Sequence, residues 1–274
     1  MDIEKLAEFI TNLGKFNDYG STISQTKEAL ITQSVTPLRS DNDDRVIFED
    51  TLRAIHFAQD VPFSIQSIIG INSQFTGDSK EQPNDPGRLR DVVIDPIRDK
   101  IHVDLWPSEN GGVVSYFPPI QIEEEDLDEI VTMWEQSPKT RLDAWQVFAQ
   151  IAKLQPFQDG NKRTALISAN HAIGALVSQE YLMPPVGRKY NQFMDALLGY
   201  YGVGLEGGPF SETEALGDFL RVIPAIETGS RQSEKTVNSL SDRLDRALKT
   251  QQQEHNKESN STKETPGHTE GRSL

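Results

Sequence analysis

The chain has 274 residues, of which 36% are hydrophobic and 25% charged, and its formal net charge at pH 7 is −15. This composition is typical of a globular protein, and the negative charge argues against nucleic acid or an anionic membrane as the main partner. The sequence contains no cysteine, which excludes disulfides, thiolate nucleophiles and cysteine-bound zinc.

The start of the sequence carries no targeting signal of the usual kind. Residues 1–5 lack the basic start and apolar run of a signal peptide, and no stretch reaches the ~20 apolar residues needed to span a bilayer. We therefore expect a cytoplasmic protein without a membrane partner.

Helical spacing of apolar residues dominates the first third of the chain. It predicts an amphipathic helix over residues 2–16, broken at Gly14, and further helices over 45–58 and from Ile65 to Phe75. His56 falls within the second of these helices. We interpret it as a packed or hydrogen-bonded structural residue rather than a catalytic one.

The hydrophobic pattern then changes from a helical period to alternation. Val92 to Ile94 and Lys100 to Trp106 alternate around turn residues, which predicts a β-hairpin of roughly 20 residues. We interpret the segment from Trp106 through Tyr116 to Pro119 as a hinge that leads back to the helical body.

Two apolar helices flank a short polar loop. Four acids at 123–126 favour the first turn of a preceding helix rather than a metal site, since no histidine or spaced acid accompanies them. A helix over 141–154 then leads into the loop. The next helix, from about Asn161 to Val177, is apolar nearly all round and is therefore predicted to be the central one.

The loop itself has the features of an anion site. Pro156 and Gly160 bracket it, and the N-terminus of the following helix offers unpaired N–H groups and a partial positive charge. Further donors there are Asn161, Lys162 and Arg163. Asp159, a carboxylate among them, is suited to hold a divalent cation against the same phosphates.

The rest of the chain is predicted to be helical and then polar. Helices are expected around 190–201 and 215–223, and from residue 228 polar and charged residues dominate. Residues 236–250 are expected to form a short amphipathic helix or a partner-binding segment, and the chain from Gln251 is expected to be disordered.

The run Pro156-Phe157-x-Asp159-Gly160-Asn161-Lys162-Arg163-Thr164-Ala165 resembles the signature loop of the Fic/Doc (Fido) family. Most members of that family transfer AMP from ATP to a hydroxyl of a target protein. The resemblance implies a mainly α, Fic-like helical domain with one β-hairpin flap. We expect this domain over residues 45–226, with an N-terminal helix and linker at 1–44 and a polar tail at 227–274.

The resemblance also implies roles for single residues. Asp159 would hold Mg²⁺, Phe157 would anchor the loop in the core, and the nucleotide would be bound by Gly160, Asn161, Lys162 and Arg163. An unknown protein target would pair an extended segment with the flap, here residues 89–116, through strand addition at an exposed edge.

Two positions depart from the family pattern. The family opens its loop with a histidine that takes the proton of the attacking hydroxyl, and this chain has Gln155, whose amide cannot act as a general base. Lys162 stands where AMP-transferring members usually carry glycine. Lysine there resembles the Doc branch, which phosphorylates its target with ATP bound the other way round.

A third feature of longer Fic proteins has no clear match. Their inhibitory helix carries Ser or Thr, then any three residues, then Glu, and finally Gly or Asn. The nearest run here is Ser24 to Glu28, followed by Ala29.

Three hypotheses remain open at this stage. The chain is a slow ATP-dependent transferase, or a nucleotide-binding or interaction protein that has lost the chemistry, or a protein in which the loop serves folding alone. Retention of Asp159, Gly160, Asn161 and Arg163 disfavours the third hypothesis, because packing does not require such a helix start.

Overall fold

Ten α-helices and a two-stranded sheet make up the part of the chain that this computed structural model describes, residues 2–39, 42–77, 85–91 and 101–223. The helices are α1 (Ile3–Gly14), α2 (Ile23–Thr32), α3 (Asn42–Gln59), α4 (Ile65–Asn72), α5 (Glu124–Gln136), α6 (Arg141–Leu154), α7 (Asn161–Ala172), α8 (Ala175–Ser178), α9 (Arg188–Tyr201) and α10 (Glu212–Val222). A 3₁₀ helix, Lys15–Asn17, follows α1 directly. The predicted mainly α fold is confirmed.

Short polar side chains start several of these helices. Thr22, Ser64 and Thr140 each form a capping box with the residue three positions later, and Asp2 and Ser211 accept first-turn amides. Such caps satisfy backbone donors that have no partner within the helix. The starts of α1, α2, α4, α6 and α10 are therefore encoded locally.

The core is arranged around α7. This helix packs against α1, α3, α4 and α6, and residues 163–170 along it are all buried. The prediction of a central helix therefore agrees with the structure, but its predicted end near Val177 is wrong. Gly174 adopts a left-handed conformation with φ +73°, so the helix ends at Ala172 and a separate short helix, α8, follows.

The sheet is a β-hairpin of β1 (Val103–Pro107) and β2 (Val113–Tyr116), paired antiparallel. The prediction of a hairpin is confirmed, but β2 lies in the segment predicted to be a hinge. The turn contains Asn110 and Gly111, with φ +86° at the glycine, and Ser108 N–H donates to Gly112 O at 2.9 Å. The predicted strand at 92–94 lies outside the described residues.

Trp106 anchors the hairpin to the segment after α9. Its Nε1 donates to Glu206 O at 2.9 Å, and its ring lies against Gly202. The Glu206 carboxylate also accepts Ser108 Oγ at 2.9 Å and Glu109 N–H at 3.1 Å. These contacts hold the hairpin on the helical body.

Other predictions concern surface and terminal segments. His56 is exposed on α3 and is therefore not packed in the core, because the apolar stripe of the helix passes beside it; the alternative interpretation as a hydrogen-bonded structural residue stays a prediction. Within the described residues, no helix is both long and apolar enough to cross a bilayer. The helix predicted at 236–250 and the disorder predicted from Gln251 lie outside the described residues.

Candidate functional site

The loop between α6 and α7 is set by two left-handed residues. Gln155 ends α6 with φ 51° and ψ 56°, and its N–H donates to Ile151 O at 3.2 Å. Pro156 cannot continue the helix, and Gly160 starts α7 with φ +73°. The predicted loop boundaries agree with the structure, because the signals that set them are local.

Asn161 holds the loop in shape through its side chain. The side-chain Oδ1 accepts Phe157 N–H at 2.8 Å, and Nδ2 donates to Phe157 O at 2.7 Å. Phe157 is fully buried, as expected for an anchor in the core. The amide of Asn161 therefore shapes the loop, whereas the sequence predicted a phosphate contact for it, which stays a prediction.

Asn72, on α4, is a second buried amide that supports the loop. Its Nδ2 donates to Asp159 O at 3.1 Å and lies 3.1 Å from Thr164 Oγ1, while its Oδ1 accepts Gly87 N–H at 2.9 Å. Sequence analysis did not find this residue. The available signal was a polar residue at a core position of the predicted helix from Ile65 to Phe75.

Arg90 donates hydrogen bonds to the carbonyls at the end of α6. Its Nε donates to Gln155 O at 2.7 Å, and Nη2 donates to Leu154 O at 3.4 Å. Its backbone N–H donates to Pro156 O at 3.0 Å. Burial lowers the pKa of Arg90, and Tyr116 raises it in part. A cation is favourable here because the last carbonyls of a helix carry partial negative charge.

A cleft of about 380 Å³ lies over the start of α7, within the size range of ligand pockets, ~300–1,000 Å³. One wall is the loop and the first turn of α7. The start of the hairpin and the 3₁₀ helix form the rest of the lining. Its lining residues are Phe16, Asn17, Ile101, His102, Val103, Asp104, Gln155, Gln158, Asp159, Gly160, Asn161 and Lys162.

Asp159 and Lys162 bring opposite charges to this cleft. The Asp159 carboxylate is half-buried, and its Oδ1 accepts the N–H of Gly160 at 2.6 Å. Burial lowers the pKa of the Lys162 ammonium, and the nearby Asp159 raises it in part. A partly desolvated cation beside a helix N-terminus favours a bound anion.

Gln155 is turned back toward its own helix. Its Nε2 donates to Ala152 O at 2.6 Å, and the residue is only 6% exposed. Burial raises the pKa of the neighbouring Tyr201 phenol, and the Gln155 amide lowers it in part. The position of the missing histidine is therefore filled by a packed amide.

Arg163 does not line the cleft. It is fully buried, and its guanidinium lies 4.4 Å from the centroid of the Phe75 ring. The structure thus separates Arg163 from Asp159, Gly160, Asn161 and Lys162, which the cleft brings together. A phosphate contact by Arg163 stays a prediction and would need a rearrangement of the loop.

Two further sequence interpretations bear on the site. His171 Nε2 lies 2.9 Å from Val61 O at the other end of α7, so it is not part of the cleft. The run from Ser24 to Glu28 lies on α2, and Glu28 is exposed there. Among the described residues, no group of three or more His, Asp or Glu side chains could form a metal site by itself.

The architecture defines a class of protein: a mainly helical domain in which the start of a β-hairpin and a tight loop at the N-terminus of a central helix line one cleft. Residues 62–173 match the model of the Fic/DOC family. No curated protein matched the sequence.

Three solved structures have a similar fold. Fic-1 (residues 134–508) from C. elegans is 18% identical, with a TM-score of 0.54, and the match covers 92% of this chain and 66% of that one. A Fic domain containing signaling protein from Bacteroides thetaiotaomicron is 19% identical, with a TM-score of 0.50, and the match covers 89% of this chain and 84% of that one. A Fic family protein from Desulfovibrio desulfuricans G20 is 16% identical, with a TM-score of 0.52, and the match covers 80% of this chain and 63% of that one. The chain spans slightly under two thirds of the C. elegans and Desulfovibrio structures. At these identities the likeness shows the fold.

Proposed function

We propose that the chain binds ATP with Mg²⁺ in the cleft over the start of α7 and transfers AMP slowly to a hydroxyl of a protein. The observation that carries this proposal is the placement of Asp159, Gly160, Asn161 and Lys162 along one wall of a cleft of about 380 Å³. First-turn amides of a helix and a neighbouring ammonium are suited to phosphate oxygens.

Asp159 fits a magnesium ion bound mainly through the nucleotide. Mg²⁺ is commonly held by one or two carboxylates together with substrate phosphates and water, so a single half-buried carboxylate is sufficient from the protein. Asp159 Oδ1 already accepts the N–H of Gly160, and this contact fixes the carboxylate at the mouth of the cradle. The ion would neutralise charge on the phosphates during transfer.

The protein supplies positioning for this reaction rather than a base at residue 155. Nucleotidyl and phosphoryl transfer depend mostly on orientation and charge stabilisation, so a site without its usual histidine retains part of its activity. Arg90, Asn72 and Asn161 fix the loop backbone, which fixes where the phosphates lie. The hydroxyl proton would leave to water or to another acceptor in the cleft, and Gln155 would orient the hydroxyl only after releasing Ala152 O.

The target protein would dock along the hairpin region, residues 89–116. In the described part of this region, β1 pairs with β2 on one side, and residues 101–104 at its start line the cleft. An extended segment that adds to the hairpin edge would therefore run past the loop. A second partner segment at 236–250 is a sequence prediction.

A second candidate function is nucleotide binding without transfer. It is favoured by the hydrogen bond from Gln155 Nε2 to Ala152 O, which keeps the amide away from a hydroxyl in the cleft. A Doc-like kinase is the third outcome, and Lys162 is the feature that favours it. Label from γ-labelled ATP alone would identify that case.

Calorimetric titration of ATP with Mg²⁺ into the full chain tests the binding proposal. We expect saturable binding that is lost in Asp159→Ala and weakened in Lys162→Ala. The matched controls are Asp128→Ala on α5 and Lys189→Ala on α9, because both residues are exposed and lie outside the cleft. Equal affinity of the wild type and Asp159→Ala would refute the assigned site.

A further inference from the structure

A histidine and an aspartate at the start of the hairpin line the same cleft as the loop. They are His102 and Asp104, two residues apart, so both side chains can point to the same face of the extended chain. The loop and the first turn of α7 contribute Gln155, Asp159 and Lys162 to the lining. A hydroxyl that enters this cleft of about 380 Å³ would therefore have Gln155 and His102 among the side chains around it.

The imidazole of His102 is oriented by neighbours on two sides. Its Nε2 lies 3.7 Å from Asp104 Oδ1, and its ring stacks on Phe117 with centroids 5.7 Å apart and planes 24° apart. Asp104 is itself fixed, because Ser115 Oγ on β2 donates to Asp104 Oδ1 at 2.6 Å. The Asp104 carboxylate lies beside the ring at a distance longer than a hydrogen bond, so either ring nitrogen can carry the lone pair.

Among the described residues of the cleft, the other polar side chains of the loop are less suited than His102 to accept the hydroxyl proton. The Gln155 amide has no basic lone pair, and its Nε2 is bound to Ala152 O. Asp159 faces the phosphate site, and Lys162 is a cation there. Histidine is also the side chain best suited to accept and release a proton near neutral pH.

We propose that His102, oriented by Asp104, accepts the proton of the attacking hydroxyl and so replaces the histidine that is missing at position 155. This inference rests on the proposed function, because it needs ATP in the cleft. The hydroxyl proton passes to the unprotonated ring nitrogen of His102 as the hydroxyl oxygen bonds to the α-phosphorus. The bond from that phosphorus to the bridging oxygen breaks, pyrophosphate leaves, and the imidazolium releases its proton to water.

The test measures two quantities on each variant of the full chain: self-labelling from α-labelled ATP with Mg²⁺, and ATP affinity by calorimetry. For His102→Gln we expect labelling to fall by ~10²–10⁴-fold, the usual contribution of a general base, with unchanged ATP affinity. Asp104→Asn should give a smaller loss of rate, again with unchanged affinity. His56→Gln is the matched control, since His56 is an exposed histidine outside the cleft.

The double variant His102→Gln with Gln155→His separates chemistry from structure. If His102 is the acceptor, the histidine at 155 restores labelling although residue 102 stays a glutamine. Wild-type labelling in His102→Gln would overturn the inference, as would an unlabelled wild type that gains label through Gln155→His. A parallel loss of ATP affinity in His102→Gln would assign it a structural role. Absence of ATP binding in the wild type would instead refute the proposed function itself.

Discussion

Gly160→Ala probes the junction of the loop and α7 most directly. The substitution has two separate costs, because Gly160 has φ +73° and because a Cβ there would lie 2.7 Å from Phe75 Cδ2 and 3.2 Å from Asn72 Nδ2. The left-handed conformation costs a non-glycine residue about 1–2 kcal/mol. Phe75 is fully buried beneath the Arg163 guanidinium, so it has little room to move.

Overpacking of a well-filled core typically costs about 1–3 kcal/mol. The two costs together predict that Gly160→Ala lowers the free energy of unfolding by about 2–5 kcal/mol, a large share of the ~5–15 kcal/mol of an ordinary domain. Because the new methyl also pushes on Asn72, which holds Asp159 O, we expect weaker ATP binding from the same variant.

Gly174→Ala is a matched control for the backbone cost alone. Gly174 has the same φ of +73° and also starts a helix, but nothing lies within 4 Å of a Cβ built there. Urea unfolding at equal m-values should therefore show a loss of about 1–2 kcal/mol for Gly174→Ala, and its ATP affinity should be unchanged. Equal losses of stability in the two variants would refute the argument that Phe75 is wedged beneath Gly160.

Three further predictions concern the hairpin, Arg90 and the cleft lysine. Gly202→Ala places a Cβ 2.1 Å from Trp106 Cη2 and should release the hairpin from the helical body. The release should appear as a change in tryptophan fluorescence and as faster amide exchange in β1. Gly199→Ala is the control, because a Cβ there meets open space and should leave both measurements unchanged. Arg90→Ala removes the side-chain donor to the Gln155 and Leu154 carbonyls, so it should lower the free energy of unfolding by about 1–3 kcal/mol and weaken ATP binding. Arg90→Lys should retain part of the stability and part of the ATP affinity. Wild-type stability in Arg90→Ala would contradict the role assigned to Arg90. Burial lowers the pKa of Lys162 in the folded state below its ordinary value of 10.5. Between the folded and the unfolded pKa, the unfolded state therefore binds more protons than the folded state, so the free energy of unfolding should rise with pH. Lys162→Met should be more stable than the wild type at neutral pH, should lose this component of the pH dependence and should bind ATP more weakly; a less stable variant would contradict the sign.

The features that sequence analysis predicted well are those with local signals. Pro156 and Gly160 mark the loop because proline cannot continue a helix and glycine tolerates a left-handed conformation, and the end of α6 at Leu154 and the start of α7 at Asn161 agree with them. The hairpin turn also had a local signal. Asn110-Gly111 between two β-prone runs is a common hairpin sequence, and it lies in the turn between β1 and β2.

The features that were missed depend on contacts distant in sequence. Asn72 reaches Asp159 across 87 positions, and Arg90 reaches Gln155 across 65. No pattern within one segment of the chain indicates such pairs. Arg163 shows the same limit in another form, since no local signal indicates that its guanidinium packs on Phe75 inside the core, while its predicted phosphate contact stays a prediction.

The geometry of the loop shows that its shape does not depend on a histidine at position 155. Each side chain that fixes the loop acts on its backbone: Asn161 on Phe157, Asn72 on Asp159, and Arg90 on the carbonyls of residues 154 and 155. None of these contacts uses the side chain at 155, so exchanging that residue leaves the backbone amides and Asp159 in place. The shape of the loop and the acceptance of a proton are therefore separable demands on this fold. Because the start of the hairpin also lines the cleft, the proposed acceptor His102 comes from outside the loop, which retains its shape.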